Sequence, residues 1–171
     1  MNANRLTRLG TLLMVLVTGV GCDQATKHVA TRTLAPIGRQ SFLADTLRLE
    51  YTQNPGAFLG MGRNMAAEHR FLALTIANGA LLAIVAGVLL THWKMPRIYF
   101  AAWALILAGG IGNLIDRVTQ DGLVTDFMNV GIGPVFRSGI FNVADMAITT
   151  GFCLFIFCWQ REAKARGTGA A

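Results

Sequence analysis

Four aspartates in this chain are candidates for chemistry. Asp23, Asp116 and Asp145 sit within or at the ends of long apolar runs, and Asp126 follows Asp116 by ten residues, in a sequence that is 53% hydrophobic and only 14% charged. A carboxyl group in a low-dielectric setting either finds a partner or takes up a proton, and two carboxyls held close together tend to share one proton. Such a pair can cleave a peptide bond with neither a metal nor a covalent intermediate. The ionised member draws a proton from water while the neutral member donates to the carbonyl oxygen. A capping or salt-bridge role is the alternative, and it suits Asp116 beside Arg117 and Asp23 four residues before Lys27. Asp126 and Asp145 have no basic neighbour close in sequence, which makes them the better catalytic candidates.

Other site chemistries find less support. His28, His69 and His92 are dispersed, and the cysteines Cys22, Cys153 and Cys158 show no ligand spacing, so no metal site is expected. Ser41, Ser138 and Cys22 have no histidine base at the right level except His28, which reads as an interfacial residue. The net charge of +6 comes from Lys and Arg scattered along the chain, a pattern that fits membrane topology better than a nucleic-acid surface.

The elements that must position these acids are membrane spans. A hydrocarbon core about 30 Å thick takes roughly 20 apolar helical residues to cross. Residues 71–91 and 98–115 carry no charge, and residues 140–160 carry only Asp145. Leu9 to Cys22 is short, and reaches spanning length, about 9–30, only by taking in Asp23, Gln24 and Lys27. Arg5 and Arg8, Lys94 and Arg97, and Arg161, Lys164 and Arg166 flank these runs on one side, which the positive-inside rule makes cytoplasmic. The expectation is a single integral membrane domain over residues 1–171, mainly α-helical, with four transmembrane helices and both termini cytoplasmic. Two outer segments, about 31–70 and 117–139, connect the spans.

Both outer segments carry strand signals. Leu47 to Thr52 alternates apolar and polar, and Leu123 to Val130 follows an Asp121-Gly122 turn, so a small extracytoplasmic β-sheet is expected, with Val130 to Pro134 as a loop. With a rise of 1.5 Å per residue, Asp23 lies roughly 22 Å above Arg8, Asp145 roughly 24 Å above Arg161 and Asp116 roughly 28 Å above Arg97. All three reach the outer third of the core, at the level of Asn113 and Asn142. Intramembrane acids also mark ion paths, and a transporter, or an assembly factor whose acids only bond helices together, are the rival readings. A transporter's acids would continue toward mid-membrane, where every span here is uncharged. Arg5, Arg8 and the run ending in Gly19-Val20-Gly21-Cys22 further resemble a secretory or even lipoprotein signal, a reading disfavoured by Gly19 where an aliphatic residue is expected and by Asp23 and Lys27, which belong to the motif Asp23-Gln24-Ala25-Thr26-Lys27.

Five short motifs, Asp23-Gln24-Ala25-Thr26-Lys27, Asn54-x-Gly56-Ala57, Gly112-Asn113-Leu114-Ile115-Asp116-Arg117, Val124-Thr125-Asp126-Phe127 and Phe141-Asn142-Val143-Ala144-Asp145, occur in that order across the four spans. Together they resemble the lipoprotein signal peptidases, also called signal peptidase II, over about residues 9 to 160. The resemblance implies an aspartic endopeptidase of the bacterial inner membrane whose site faces the periplasm. Its substrate would be a prolipoprotein, cut just before the diacylglyceryl-modified cysteine, and it would use no cofactor. It makes Asp126 and Asp145 the catalytic pair. Asn54, Gly56, Asn113, Arg117, Asn142 and Ala144 would line or support the site, and Asp23, Lys27 and Asp116 would hold it together. It also implies a helical segment that moves over the site. Its partners would be lipidated signal peptides and membrane lipid, and the chain would act as a monomer. Many family members have two alanines before the phenylalanine of the second motif, where this sequence has Ala57 alone before Phe58 and Leu59.

Overall fold

The computed structural model describes residues 3–56 and 65–168 of the 171-residue chain. Ala57, Phe58 and Leu59, where the second motif departs from the family pattern, lie outside the described residues. The elements run α1 (Ala3–Ile37), β1 (Gln40–Phe42), β2 (Leu47–Asn54), α2 (Ala67–Phe71), α3 (Ala77–Thr91), α4 (Arg97–Thr119), β3 (Val124–Ile132), β4 (Phe136–Arg137) and α5 (Val143–Thr168). A π-helical turn, Leu72–Ile76, joins α2 to α3. Among the described residues four helical stretches are long and apolar enough to cross a membrane: Asn4–Ile37, Leu72–Thr91, Arg97–Thr119 and Val143–Ala165.

These helices obey the rule that a polar group in lipid must be satisfied within the chain. In α1 the hydroxyls of Thr11, Thr18, Thr26, Thr31 and Thr33 each donate to the carbonyl four residues earlier, so the helix shows lipid little unpaired polarity. Helix α1 also outruns the span expected at 9–30. It begins at Ala3 and ends where Gly38, at φ +75°, donates its N–H to the Leu34 carbonyl, a left-handed C-terminal cap. Residues 9–22 are the middle of this uninterrupted helix. The cysteines are all free, and Cys22 and Cys153 lie exposed rather than packed inside.

Helix α4 is the centre of the bundle. Its apolar face joins Leu12 of α1 and Leu82, Val85 and Leu89 of α3 in a cluster with Phe100, Ala104 and Leu107. Its other face meets α5 through small residues that let the backbones approach. A Cβ at Gly109 would collide with the Ala144 carbonyl oxygen, and one at Gly151 of α5 would lie 2.6 Å from the Ala102 carbonyl oxygen. At the end of the bundle away from the acids Tyr99 and Trp103 pack edge-on against Phe155, so these two aromatics join α4 to α5.

Among the described residues the connections after α1 and α4 form one four-stranded sheet in the order β1-β2-β3-β4. Strands β2 and β3 pair antiparallel from Leu47↔Val130 to Asn54↔Val124, with an irregularity between Leu49 and Thr52. Val130 to Ile132, expected as loop, continue β3, because Gly131 and Ile132 pair with Arg137 and Phe136 of β4. The sheet rests on the outer half of α1, where Leu49, Tyr51, Phe127 and Met128 pack against Ala30 and Leu34. This contact sets the height of Asp126 relative to the helices.

Candidate active site

The site forms where α1, α4, β3 and the start of α5 converge. Asn142 ends the incoming chain and caps α5. Its side-chain oxygen accepts the Asp145 N–H at 2.9 Å, while the Asp145 carboxylate accepts the Asn142 N–H at 3.1 Å. This reciprocal pair is a capping box, and it explains why α5 starts at Val143 rather than at Ile140. It leaves Asp145 in the first helical turn, where the macrodipole favours negative charge.

Asp126 comes to the same place from β3. The Asn142 side-chain amide donates to Asp126 Oδ1 at 2.6 Å, and also to the Thr125 carbonyl and to Asn113 Oδ1. Asn142 therefore touches both candidate acids at once, and it is fully buried. Asn54, at the end of β2, donates to Asp126 Oδ2 at 2.9 Å, and Asn113 of α4 donates to Asp145 Oδ1 at 2.9 Å. Burial first, and the charge of Asp145 second, push the Asp126 carboxyl up to about 7 against the opposing pull of the Asn54 and Asn142 amides. Asn54 Oδ1 also accepts the Gly56 N–H, and Arg117 donates to the Gly56 and Asn113 carbonyls, which fastens the end of β2 to α4.

Beneath this pair lies a second layer built on Lys27. Its ammonium meets Asp23 Oδ2 at 2.8 Å, Asp116 Oδ2 at 3.0 Å and Asn113 Oδ1 at 3.0 Å, so all three of its donors are used. Asp116 thus pairs with Lys27 across the bundle and not with the adjacent Arg117, whose guanidinium serves carbonyls. Asp23 Oδ1 accepts the Ala144 N–H at 2.8 Å, and Asp116 Oδ2 accepts the Thr125 N–H at 2.9 Å. One carboxylate holds the element bearing Asp145, and the other holds the element bearing Asp126. A single lysine ties both carboxylates together.

The sequence-predicted residues Asp23, Lys27, Asn54, Gly56, Asn113, Asp116, Arg117, Asp126, Asn142, Ala144 and Asp145 are thus brought into one connected network. Two members escaped the sequence reading. Gln24 donates to Asp116 Oδ1, Asp23 Oδ2 and the Gly112 carbonyl, and only its place inside the first motif hinted at this. Thr125 contributes its backbone N–H and carbonyl, for which no side-chain signal exists.

A family model described as Signal peptidase (SPase) II matches residues 14–160. The chain belongs to the signal peptidase II family. It is 35% identical over 141 residues to a lipoprotein signal peptidase of Caldanaerobacter subterraneus, covering 81% of this chain and 88% of the relative. A lipoprotein signal peptidase of Borrelia hermsii is 32% identical over 174 residues, covering 98% of this chain and 99% of the relative. Two solved structures described as bacterial membrane enzymes match the fold with TM-scores of 0.76 and 0.73, at 27% and 26% identity, covering 90% and 88% of this chain and 90% and 92% of theirs. The signal peptidase II match spans all five motifs, so every residue of the network falls within it. Membership makes the chain a membrane-spanning peptidase.

Proposed function

We propose that the protein removes the signal peptide from diacylglyceryl-modified prolipoproteins, cutting immediately before the lipidated cysteine, with Asp126 and Asp145 as an aspartic catalytic pair. The observation that carries this reading is the double contact of Asn142, one buried residue whose backbone N–H donates to the Asp145 carboxyl and whose side-chain amide donates to the Asp126 carboxyl. Asp145 is the better placed to carry the negative charge, since it sits at a helix N-terminus and accepts a backbone N–H that cannot be reversed. Among the described residues Asp126 accepts only from side-chain amides, and its raised carboxyl suits it to hold the shared proton.

In this mechanism Asp145 takes a proton from a water, whose oxygen attacks the scissile carbonyl carbon, while Asp126 gives its proton to the carbonyl oxygen. The tetrahedral intermediate collapses as the cysteine nitrogen accepts the proton held by Asp145, one hydroxyl of the intermediate returns a proton to Asp126, and the C–N bond breaks, which restores the pair to its starting state. The products are a signal-peptide carboxylate and a lipidated amino-terminal cysteine. Asn54, Asn113 and Asn142 orient the carboxyls; Gly56 and Arg117 shape the adjoining edge; Asp23, Lys27, Asp116 and Ala144 keep the supporting elements in register. No metal or other cofactor enters these steps.

The location of the substrate bond agrees with this assignment. A cysteine bearing acyl chains holds its peptide bond near the outer edge of the core, the depth that the helical rise gives for Asp23, Asp116 and Asp145. On this reading the protein lies in the bacterial inner membrane as one integral domain, with both termini cytoplasmic and the acid pair toward the periplasm. The test is incubation of purified protein with a diacylated and an unlipidated precursor, the products read by mass spectrometry. Cleavage of the diacylated precursor alone, with a new terminus at the lipidated cysteine, is expected; a new terminus elsewhere contradicts the proposal.

A further inference from the structure

The end of the sheet farthest from the acids is built in an unusual way. The two hairpin turns, β1–β2 and β3–β4, lie side by side there, because Leu47 pairs with Val130. At about 3.3 Å per residue, the seven steps from Asn54 to Leu47 put this end roughly 23 Å along the sheet from the Asn54 contact with Asp126. Its outward side chains are large and apolar. Leu43 is 75% exposed, and Ile132, Val135 and Phe136 are each about four-fifths exposed, with Phe42 and Val130 also open.

The first hairpin turn is held in a costly conformation to present them. Leu43, Ala44 and Asp45, none of them glycine, all have φ between 50° and 66°. Such outliers persist only where the surroundings over-determine them, and they cluster at functional places. Here the Asp45 carboxylate accepts from Ser41 at 2.7 Å and from two nitrogens of Arg48. Arg137 of β4 donates to the Asp45 carbonyl at 2.7 Å and to the Gly133 carbonyl at 3.1 Å, and also to Asn129. One arginine thus clamps both turns, and the polar groups are used internally while the apolar ones are turned out. A contiguous exposed apolar patch on a rigid mount marks a contact surface.

We propose that this end of the sheet is a foot that rests in the outer leaflet, with Phe42, Leu43, Ile132, Val135 and Phe136 inserted among the lipid headgroups and first methylenes. The occupant is lipid because the patch continues a lipid-facing surface. Helix α1 keeps Val29 and Ile37 exposed to its final residue, and Ile37 lies five residues before Phe42. From Arg8 to Ile37 is 29 residues, or roughly 43 Å along the helix axis. That exceeds the hydrocarbon core of about 30 Å, but a tilt within the usual range of about 0–40° brings the helix end into the headgroup layer. The foot and a tilted α1 then fix the sheet flat against the bilayer and set the depth of Asp126.

The test uses a variant lacking the three native cysteines, reconstituted in phospholipid nanodiscs, with a nitroxide attached at Leu43→Cys or Phe136→Cys. Val29→Cys serves as the lipid-facing control and Asp121→Cys as the aqueous control. Both foot labels are expected to collide with oxygen several-fold more, relative to a water-soluble nickel chelate, than the Asp121 label does. Labels that match the aqueous control overturn the proposal. So do labels that become shielded only when a precursor polypeptide is added, since that outcome makes the patch a protein-docking surface.

Discussion

Replacing Lys27 by methionine gives the most demanding check on how the site is held. The side chain is 4% exposed, and its ammonium is the only cation within salt-bridge distance of Asp23 or Asp116 among the described residues. Those carboxylates are themselves 0% and 2% exposed. Removing one partner of a buried charge pair leaves an uncompensated charge, at a cost of about 3–5 kcal/mol. For a chain of this size each kcal/mol moves the melting point by about 2–4 °C, so the variant should melt roughly 6–20 °C lower in detergent. Because Asp23 holds Ala144 and Asp116 holds Thr125, turnover should fall as well, even at temperatures where the variant is folded. Adding Asp116→Asn to Lys27→Met removes one stranded charge and should recover part of the lost stability, a non-additivity expected of groups in direct contact. Thermal unfolding of the wild type, both single variants and the double variant reads this cycle. A Lys27→Met protein that melts within 2 °C of wild type, or strictly additive losses, would refute the reasoning.

Three further perturbations follow from the same geometry. Asn142→Ala removes the side-chain cap on the Asp145 N–H and the amide that donates to Asp126, while the backbone N–H to the Asp145 carboxylate stays; a hydrogen bond to a charged group contributes about 1.5–3 kcal/mol, so kcat should drop roughly 10- to 150-fold, and loss of the cap should lower the melting point by about 1–8 °C. Burial and the Asp145 charge raise the Asp126 carboxyl from 3.8 to about 7, so the folded protein holds that proton across this window. Its stabilising contribution is complete below 3.8 and is lost as pH rises through about 7, and cleavage that needs a protonated Asp126 should decline over the same rise; a rate that is flat from pH 6 to pH 9 would contradict it. Gly112→Ala would put a Cβ 2.6 Å from Asp23 Oδ2, displacing the carboxylate at a cost of about 1–3 kcal/mol, whereas Gly87→Ala, with nothing within 4 Å, should be neutral or mildly stabilising; paired melting curves compare them.

The spans and the acids were legible because both are written in residue type. Uncharged runs announced α3 and α4, and the helical rise placed Asp23, Asp116 and Asp145 at one depth before any contact was known. What the sequence did not announce is carried by backbone groups and by pairings across the bundle. Asp116 has Arg117 as its nearest cation in sequence, yet helix geometry turns it to Lys27. The extension of β3 through Ile132 depends on pairing with the two-residue strand β4, too short to leave a periodic signal. The distal β1–β2 turn rests on three left-handed residues, and a run such as Leu43-Ala44-Asp45, without glycine or asparagine, does not announce that conformation.

The central claim is that Asp126 and Asp145 act together on one water, and the most direct measurement is single-turnover cleavage of a diacylated precursor by Asp126→Asn and Asp145→Asn proteins shown to be folded by their melting curves. Both variants are predicted to leave the precursor intact while binding it. Processing by either one at the wild-type rate would contradict the account.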